Sequence, residues 1–401
     1  MHDPFAPVRL GQVELRNRFI KAATFEGMAV DNLVTDQLID FHRTMAAGGL
    51  GMTTVAYLAV SPDGQGAPAE IVVRPEAVPG LRRLADAVHA EGAAVSAQIG
   101  HAGPVAASTG NTALAPSKVF SPLAMKFTRA VDDTDIARIT ADFAQAAKLL
   151  QDSGFDAVEV HLGHNYLLSA FLSPALNKRS DRWGGSIANR AEFPRRVLRA
   201  VRDAVGPSMA VLAKLNMADG YPGGIWLDDS VEAARLIESD GTLDALELTG
   251  GSSFKNPMYL FRGEAPIAEM AAAFPKPLQV GFKLFGNKFL PSYPFEEAYF
   301  LSYARQFRAA LSMPLVLLGG INRLDTVHKA LEDGFEFISM GRALLREPDL
   351  LARWRAGDDA ESLCVHCNKC MPTIYSGTHC VLVPPNERPG VSIGGAPTPV
   401  R

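Results

Sequence analysis

The run His161-Leu-Gly-His164-Asn-Tyr166 brings two imidazoles and a phenol together, directly after the apolar, β-branched segment 155–161. Imidazole N–H groups can bind a developing oxyanion, and a phenol can supply a proton. H-x-x-H on a helix can instead bind zinc. A lone histidine is most often a hydrogen-bonded structural group. Two histidines beside a tyrosine at a strand end favour chemistry. A second reactive group lies far along the chain. All four cysteines, Cys364, Cys367, Cys370 and Cys380, fall in one short stretch. Disulfides that staple a secreted protein would be spread along the sequence, so this cluster points to metal.

These side chains need a scaffold. Eight segments read as short strands: 18–24, 51–57, 93–99, 155–161, 209–215, 244–249, 314–318 and 335–340. Stretches of helical spacing lie between most of them. Leu81, Leu84, Ala85 and Val88 share one face, as do Ile136, Ile139, Phe143, Ala146, Ala147 and Leu150. Stretches 189–205 and 229–238 behave alike, and Asp132, Asp133 and Thr134 are cap candidates. Strands alternating with helices predict a parallel sheet. Eight such units predict an α/β fold, a (β/α)8 TIM barrel with extended βα loops and a short Cys-containing C-terminal segment. A doubly wound dinucleotide fold lacks its G-x-G-x-x-G fingerprint here, and no G-x-x-x-x-G-K-[ST] loop is present.

The barrel is expected over residues 1–355 and the Cys-rich extension and tail over 356–401, with 383–401 extended or poorly ordered. Segments 100–129 and 250–293 are long loops after strand ends, where barrel enzymes build their sites. Gly319 and Gly320 follow the seventh strand, and Gly341 and Arg342 follow the eighth. Loops there are the usual phosphate site of a barrel, where glycine lets backbone N–H groups approach and arginine supplies charge.

Lys plus Arg number 39 and Asp plus Glu 43, a net charge of -4. No Lys/Arg-rich run is present, so nothing electrostatic favours nucleic acid or an anionic membrane as partner. The first ten residues do not read as a signal peptide. The longest uncharged apolar stretch, about 48–60, is too short to span a bilayer. A soluble, cytoplasmic protein acting on a small molecule is expected.

The run from Gly154 through His161, His164 and Tyr166 resembles the signature of the old yellow enzyme family, the FMN-dependent NADH:flavin oxidoreductases. It continues through Phe171-Leu-Ser-Pro174, Asn177, Arg179, Asp181, Trp183-Gly-Gly-Ser186 and Asn189-Arg190. The resemblance reaches from Pro4 to about Pro348, and the Cys segment extends it. It implies that Ala22, Ala23 and Thr24 line the flavin, and that the Gln98 amide contacts its pyrimidine. It also implies that Lys214 sits near flavin N1 and O2, stabilising charge on reduced flavin. A lysine inside an apolar strand is in any case not a surface cation, since a buried charge needs a partner. Two features depart from the family: Ala23-Thr24-Phe25 replaces a Pro-Met pair followed by Thr or Cys, and Tyr57 sits near the expected pyrimidine end where a smaller residue is common. Both bear on redox potential and substrate shape.

The C-x-x-C-N-x-C run and Cys380 are similar to the cluster ligands of relatives of trimethylamine dehydrogenase and dienoyl-CoA reductase. That likeness implies a [4Fe-4S] centre ahead of zinc, although the gap from Cys370 to Cys380 is shorter than in those relatives. Those relatives also carry a further nucleotide-binding domain, before which this sequence stops. The family reading implies reduction of the activated C=C bond of an α,β-unsaturated carbonyl compound. NADH or NADPH is the reductant, His161 and His164 polarise the carbonyl, and Tyr166 protonates the α-carbon. It further implies a homo-oligomer. Competing readings are an amine dehydrogenase or demethylase with an aromatic pocket from Tyr57, Tyr221, Trp226 or Tyr259, a non-flavin phosphate-binding isomerase or lyase, and a metal-binding redox sensor without turnover.

Overall fold

The computed structural model describes residues 3–106, 112–121, 126–273 and 276–390. All eight expected strands form. They are β1 (Phe19–Lys21), β2 (Met52–Ala59), β3 (Ala94–Gly100), β4 (Ala157–Leu162), β5 (Ala210–Asn216), β6 (Ala245–Thr249), β7 (Leu315–Leu318) and β8 (Phe337–Met340). Each pairs in parallel with its neighbours, and β8 pairs with β1 to close the barrel. Helices α1 (Asp36–Ala47), α2 (Val78–Ala90), α3 (Asp133–Asp152), α4 (Ile187–Val205), α5 (Leu227–Ser239), α6 (Leu301–Ala310), α7 (Leu324–Glu332) and α8 (Leu350–Arg355) form the outer ring.

Side chains alternate along a strand, so every second residue enters the barrel. At the N-terminal end those residues are apolar. Ile20, Met52, Ala157, Leu212, Ala245, Val316 and Phe337 form one cluster with Leu10 and Leu15. The last two come from the antiparallel hairpin Val8–Leu10 and Val13–Leu15, which plugs this end. One pleat higher the interior turns polar, with Gln98, Glu159, Lys214, Glu247 and Ser339 all buried. The outward residues Val158, Val160, Leu162, Val211 and Leu215 pack against Ile139 and Phe143 of α3 and Val197 and Val201 of α4. Burying such aliphatic groups stabilises the wall by about 1.5–3 kcal/mol each.

The long segments after β3 and β6 are not plain loops. Described residues after β3 include the short strands Leu114–Ala115, Phe120–Ser121, Lys126–Phe127 and Arg129–Ala130. Residues 107–111 and 122–125 of the first segment lie outside the described ones. After β6 come helices Met258–Phe261, Ile267–Ala272 and Lys276–Phe289. In the last of these, Phe282 and Phe289, seven apart, pack with Met258, Met270 and Leu290. Val280, Leu284 and Phe285 face out. Apolar residues on both faces hide the helical period from a sequence reading. Of the expected tail, 383–390 includes the turn Pro385–Glu387, and 391–401 lie outside the described residues. No helix among the described residues is long and apolar enough to cross a membrane.

The start of α3 shows how sequence sets a boundary. Asp132 accepts the Asp135 N–H at 2.9 Å, and Asp135 accepts the Asp132 N–H at 3.0 Å, a reciprocal capping box. Arg129 then clamps Asp135 through both guanidinium nitrogens, at 2.6 and 2.8 Å. Asp132→Ala should cost about 1 kcal/mol, read as a lower urea midpoint with an unchanged slope; an unchanged midpoint would show the cap to be dispensable.

Candidate active site

A cavity of about 430 Å³ opens at the C-terminal end of the strands, within the roughly 300–1,000 Å³ of small-molecule and cofactor sites. Its floor is the polar layer of the barrel. Lys214 Nζ lies 2.9 Å from Glu247 Oε1 and 3.2 Å from Glu159 Oε1, and all three are buried. Gln98 donates to Glu159 Oε1 at 2.6 Å. Burial alone would lower the lysine's pKa, but its two carboxylates raise it. Burial pushes the Glu247 carboxyl up, against the pull of Lys214.

Above the floor the chain leaves β4 through Gly163. His164 and Asn165 both take left-handed backbone, with φ of 58° and 61°, a conformation that asparagine and histidine adopt more readily than most residues. Asn216 at the end of β5 holds this turn: its Oδ1 accepts the His164 N–H at 3.0 Å, while its Nδ2 donates to Asp219 and Gly251, each at 2.8 Å. The turn brings His161 and His164 to 5.0 Å between ring centroids, tilted, and His161 and Tyr166 to 4.6 Å, edge to face. Tyr57 closes the group, 5.1 Å from Tyr166. His164 Nε2 is 3.1 Å from Thr249 Oγ1.

Burial, together with the positive charge of Lys214, lowers both imidazoles, His164 to about 3. Both rings are therefore neutral at physiological pH, each with one N–H to donate. Burial raises the Tyr166 phenol above its ordinary value, and the charge of Glu70 adds to this. It stays protonated.

Ala22, Ala23 and Thr24 line the cavity beside Gln98 and Lys214. At the other end lie Gly319, Gly320, Gly341 and Arg342. Gly320 has φ of 72°, and a Cβ there would stand 2.6 Å from the Tyr299 ring, so no other residue fits. Of the four aromatics considered for a cation pocket, only Tyr57 faces this cavity. The Tyr221 hydroxyl is turned to Asn165 at 3.1 Å, Trp226 is half-exposed against Tyr303, and Tyr259 is buried against Tyr293 and Phe300. The residues bonded to Lys214, Glu159 and Glu247, went unnoticed in the sequence, as did Glu70 on the cavity wall. For Glu159 and Glu247 the signal was a lone carboxylate inside a mostly apolar strand.

The cavity fits a large polar ligand such as FMN. His161 Nδ1, Ser339 Oγ and His366 Nε2, on residues that line it, are buried without a hydrogen-bond partner among the described residues, a costly state that a polar ligand relieves. Arg342 is partly engaged already. Its Nη1 donates to the Arg262 carbonyl at 2.9 Å and to Asn368 Oδ1.

Arg342 also borders a second cleft, lined by Cys364, Cys367, Cys370 and Cys380. All four are free thiols. Left-handed residues His366 and Asn368, with φ of 56° and 54°, fold the loop between them. Burial pushes the Cys370 thiol up to about 12, against the pull of Arg342. Among the described residues, no three His, Cys, Asp or Glu side chains converge on one ion. The segment packs on the barrel: Asn368 donates to the Arg262 and Glu264 carbonyls, and Thr378 donates to the Phe25 and Glu26 carbonyls.

Known proteins resemble this chain along most of its length. The profile of the NADH:flavin oxidoreductase / NADH oxidase family matches residues 3–244. A 4,4'-dithiodibutanoate disulfide reductase of Rhodococcus erythropolis is 57% identical over 380 residues, 94% of each chain. A metal reductase of Desulforamulus reducens is 33% identical over 92% of this chain, which spans 52% of that relative. Among solved structures, a 2-naphthoyl-CoA reductase in complex with 2-naphthoyl-CoA superposes with a TM-score of 0.80 at 25% identity, over 94% of this chain and 56% of that one. The chain belongs to the NADH:flavin oxidoreductase family, that of the old yellow enzymes, and is a flavin-dependent oxidoreductase.

Lys214→Met removes the cation that two buried carboxylates share. Stability should fall by about 3–5 kcal/mol in urea denaturation, and Lys214→Met with Glu247→Gln should recover part of it. Equal loss in single and double variants would mean that the ion network does not hold the floor.

Proposed function

We propose that this family member is an NAD(P)H-dependent FMN reductase of small electrophilic acceptors, with the activated C=C bond of an α,β-unsaturated carbonyl compound as the acceptor its own side chains fit best. The carrying observation is the close packing of His161, His164 and Tyr166 over a cavity whose floor is a buried lysine. FMN, when bound, supplies hydride received from NADH or NADPH. Gln98 and Lys214 would hold its ring end, and Gly319, Gly320, Gly341 and Arg342 its phosphate end. The neutral imidazoles donate N–H groups to the acceptor's carbonyl oxygen, where negative charge builds as hydride arrives. Tyr166, protonated at neutral pH, gives its proton to the α-carbon.

A second acceptor, an organic disulfide, is favoured by the 57% identity to a disulfide reductase over nearly the full length of both chains. There, hydride cleaves the S–S bond, one sulfur leaving as thiol and the other as thiolate, and Tyr166 is placed to protonate the thiolate. The amine reading keeps one of its four aromatics at the cavity. Assays with 2-cyclohexenone and 4,4'-dithiodibutanoate side by side separate these acceptors, and failure of both would overturn the proposal.

The four thiols suit an iron–sulfur cluster better than a zinc ion. The likeness of the C-x-x-C-N-x-C run to cluster ligands supports this choice, and all four thiols line one cleft. A cluster is a larger body held at its corners. Arg342 and Arg346 at the cleft offset the charge of four thiolates. Anaerobic metal analysis should find about four iron per chain; one zinc, or metal-free protein of full stability, would contradict the cluster.

His161→Ala with His164→Ala should abolish the flavin spectral shift on adding a phenol, while reduction by NAD(P)H persists. Tyr166→Phe should keep flavin and its reduction but slow re-oxidation by 2-cyclohexenone by roughly a hundredfold or more; re-oxidation by a quinone, which takes no proton from the enzyme, should be unaffected. Equal enone rates would remove Tyr166 as donor.

A further inference from the structure

We propose that Glu70, a buried carboxyl group on the wall of the same cavity, restores the proton that Tyr166 gives up in each turnover. The inference rests on the reading of Tyr166 as proton donor.

Each reduction of an enone leaves Tyr166 as a phenolate inside a buried site. The next turnover needs that proton back. Other titratable groups lie at this end of the barrel. Tyr57 donates its hydroxyl to the Gly64 carbonyl at 3.0 Å. His161 and His164 are neutral, and their N–H groups are committed to the acceptor. Lys214 is held between two carboxylates. Asp63, on the loop after β2, is ion-paired to Arg138 at 2.7 Å; against the effect of burial, His101 first and then Ser61 and Arg138 keep it well below the usual carboxylate range. His101, after β3, lies with its Nε2 3.7 Å from Asp63. Of these, Asp63 is held ionised, Lys214 keeps its proton between two carboxylates, and Tyr57 already donates its own.

Glu70 differs. It lines the cavity with Tyr57 and Tyr166 and is only 3% exposed. Its Oε2 accepts the Gly66 N–H at 2.6 Å, which fixes the side chain. No cation pairs with it among the ion pairs of the described residues. Burial raises its pKa to about 8, against the pull of the Gly66 and Ala67 N–H groups. It is thus mostly a neutral acid at pH 7. The Tyr166 phenol is raised above its ordinary value, so proton passage from the Glu70 carboxyl to the Tyr166 phenolate runs downhill. The products are a Glu70 carboxylate and a neutral Tyr166. The carboxylate regains its proton from solvent, which reaches the exposed Pro68 two residues away.

The test compares first and later turnovers of the FMN holoenzyme with NADPH and 2-cyclohexenone. Reduction by NADPH and the first re-oxidation by enone should be unchanged in Glu70→Gln, because Tyr166 begins protonated. Steady-state turnover should fall tenfold or more, giving a burst that wild type lacks. Wild-type kcat should decline above about pH 8, and Glu70→Gln should lose that inflection. Glu70→Asp should regain part of the rate, and Glu70→Gln should add nothing in a Tyr166→Phe background. First and later turnovers slowed alike would mean a structural role and overturn the inference. So would an unchanged kcat in Glu70→Gln. If wild type reduces neither enone nor disulfide, the functional reading itself fails, an outcome distinct from an active wild type with an indifferent Glu70 variant.

Discussion

The ammonium group of Lys214 inside the barrel is the constraint from which the site follows. An uncompensated charge at that depth would cost several kcal/mol, so its partners must arrive from neighbouring strands at one height. The register delivers them. Lys214 pairs across the ladder with Glu247, and Glu159 pairs with Gln98. A slip of one residue would turn every one of these groups outward into the apolar layer under α3 and α4. The ion network therefore selects the register as strongly as the hydrophobic alternation does. It also divides the barrel into an apolar base plugged by Leu10 and Leu15 and a polar chamber above. A similar logic operates at the end of β1, where Lys21 meets Glu26 at 2.6 Å and Glu26 lies 3.6 Å from His42 of α1.

The polar floor sets the protonation of what stands on it. The positive charge of Lys214 helps hold His161 and His164 neutral. At the opposite end the C-terminal segment builds part of the chamber wall. Gly27, with φ of 64°, leaves room for the Ile374 carbonyl, which would stand 2.0 Å from a Cβ there. His366, Met371, Ile374 and Thr378 reach the chamber. Arg342 touches both this chamber and the thiol cleft, and Cys370 lines the two as well. Whatever occupies one space is felt at the other through a shared guanidinium and a shared thiol.

Much of the fold was legible because strand and helix periods differ. Segments such as 209–215 are apolar but for Lys214, since a barrel strand is covered on both faces, and 136–150 repeats at helical spacing. The helix Lys276–Phe289 was not legible, because its apolar residues lie on both faces. For the site, His161, His164 and Tyr166 were visible as a local run, and the structure brings Gln98, Lys214, Gly319, Gly320, Gly341 and Arg342 to the same chamber from separate strands. The carboxylates facing Lys214 escaped notice because each sits alone in its own strand; only the pleat shows that Glu159 and Glu247 point the same way as the lysine. Glu70 gave no signal, since its meaning comes from burial rather than from neighbours in sequence. Of the four aromatics weighed for a cation pocket, Tyr57 lines the chamber; Tyr221, Trp226 and Tyr259 follow strands five and six in sequence, but each ring has partners elsewhere.

The electrostatics bear on which acceptors the chamber admits. Its only buried ammonium is balanced by two carboxylates among the described residues, and Arg342 already bonds to a carbonyl and an amide. An anionic acceptor therefore finds no free cation near the histidines. It must rely on neutral N–H donors, whose charge state does not vary across physiological pH. Such donors bind any polarised oxygen, whether of a ketone or a carboxylate, and so give orientation without selecting net charge. Binding should then be nearly independent of pH, while the supply of protons is not, because it runs through groups that titrate higher. An acceptor whose reduction needs a proton at carbon depends on that supply most, and one that releases a stable thiolate depends on it least. On the proposed reading, the two acceptor classes would share this chamber, with their relative rates set by pH rather than by a change of shape.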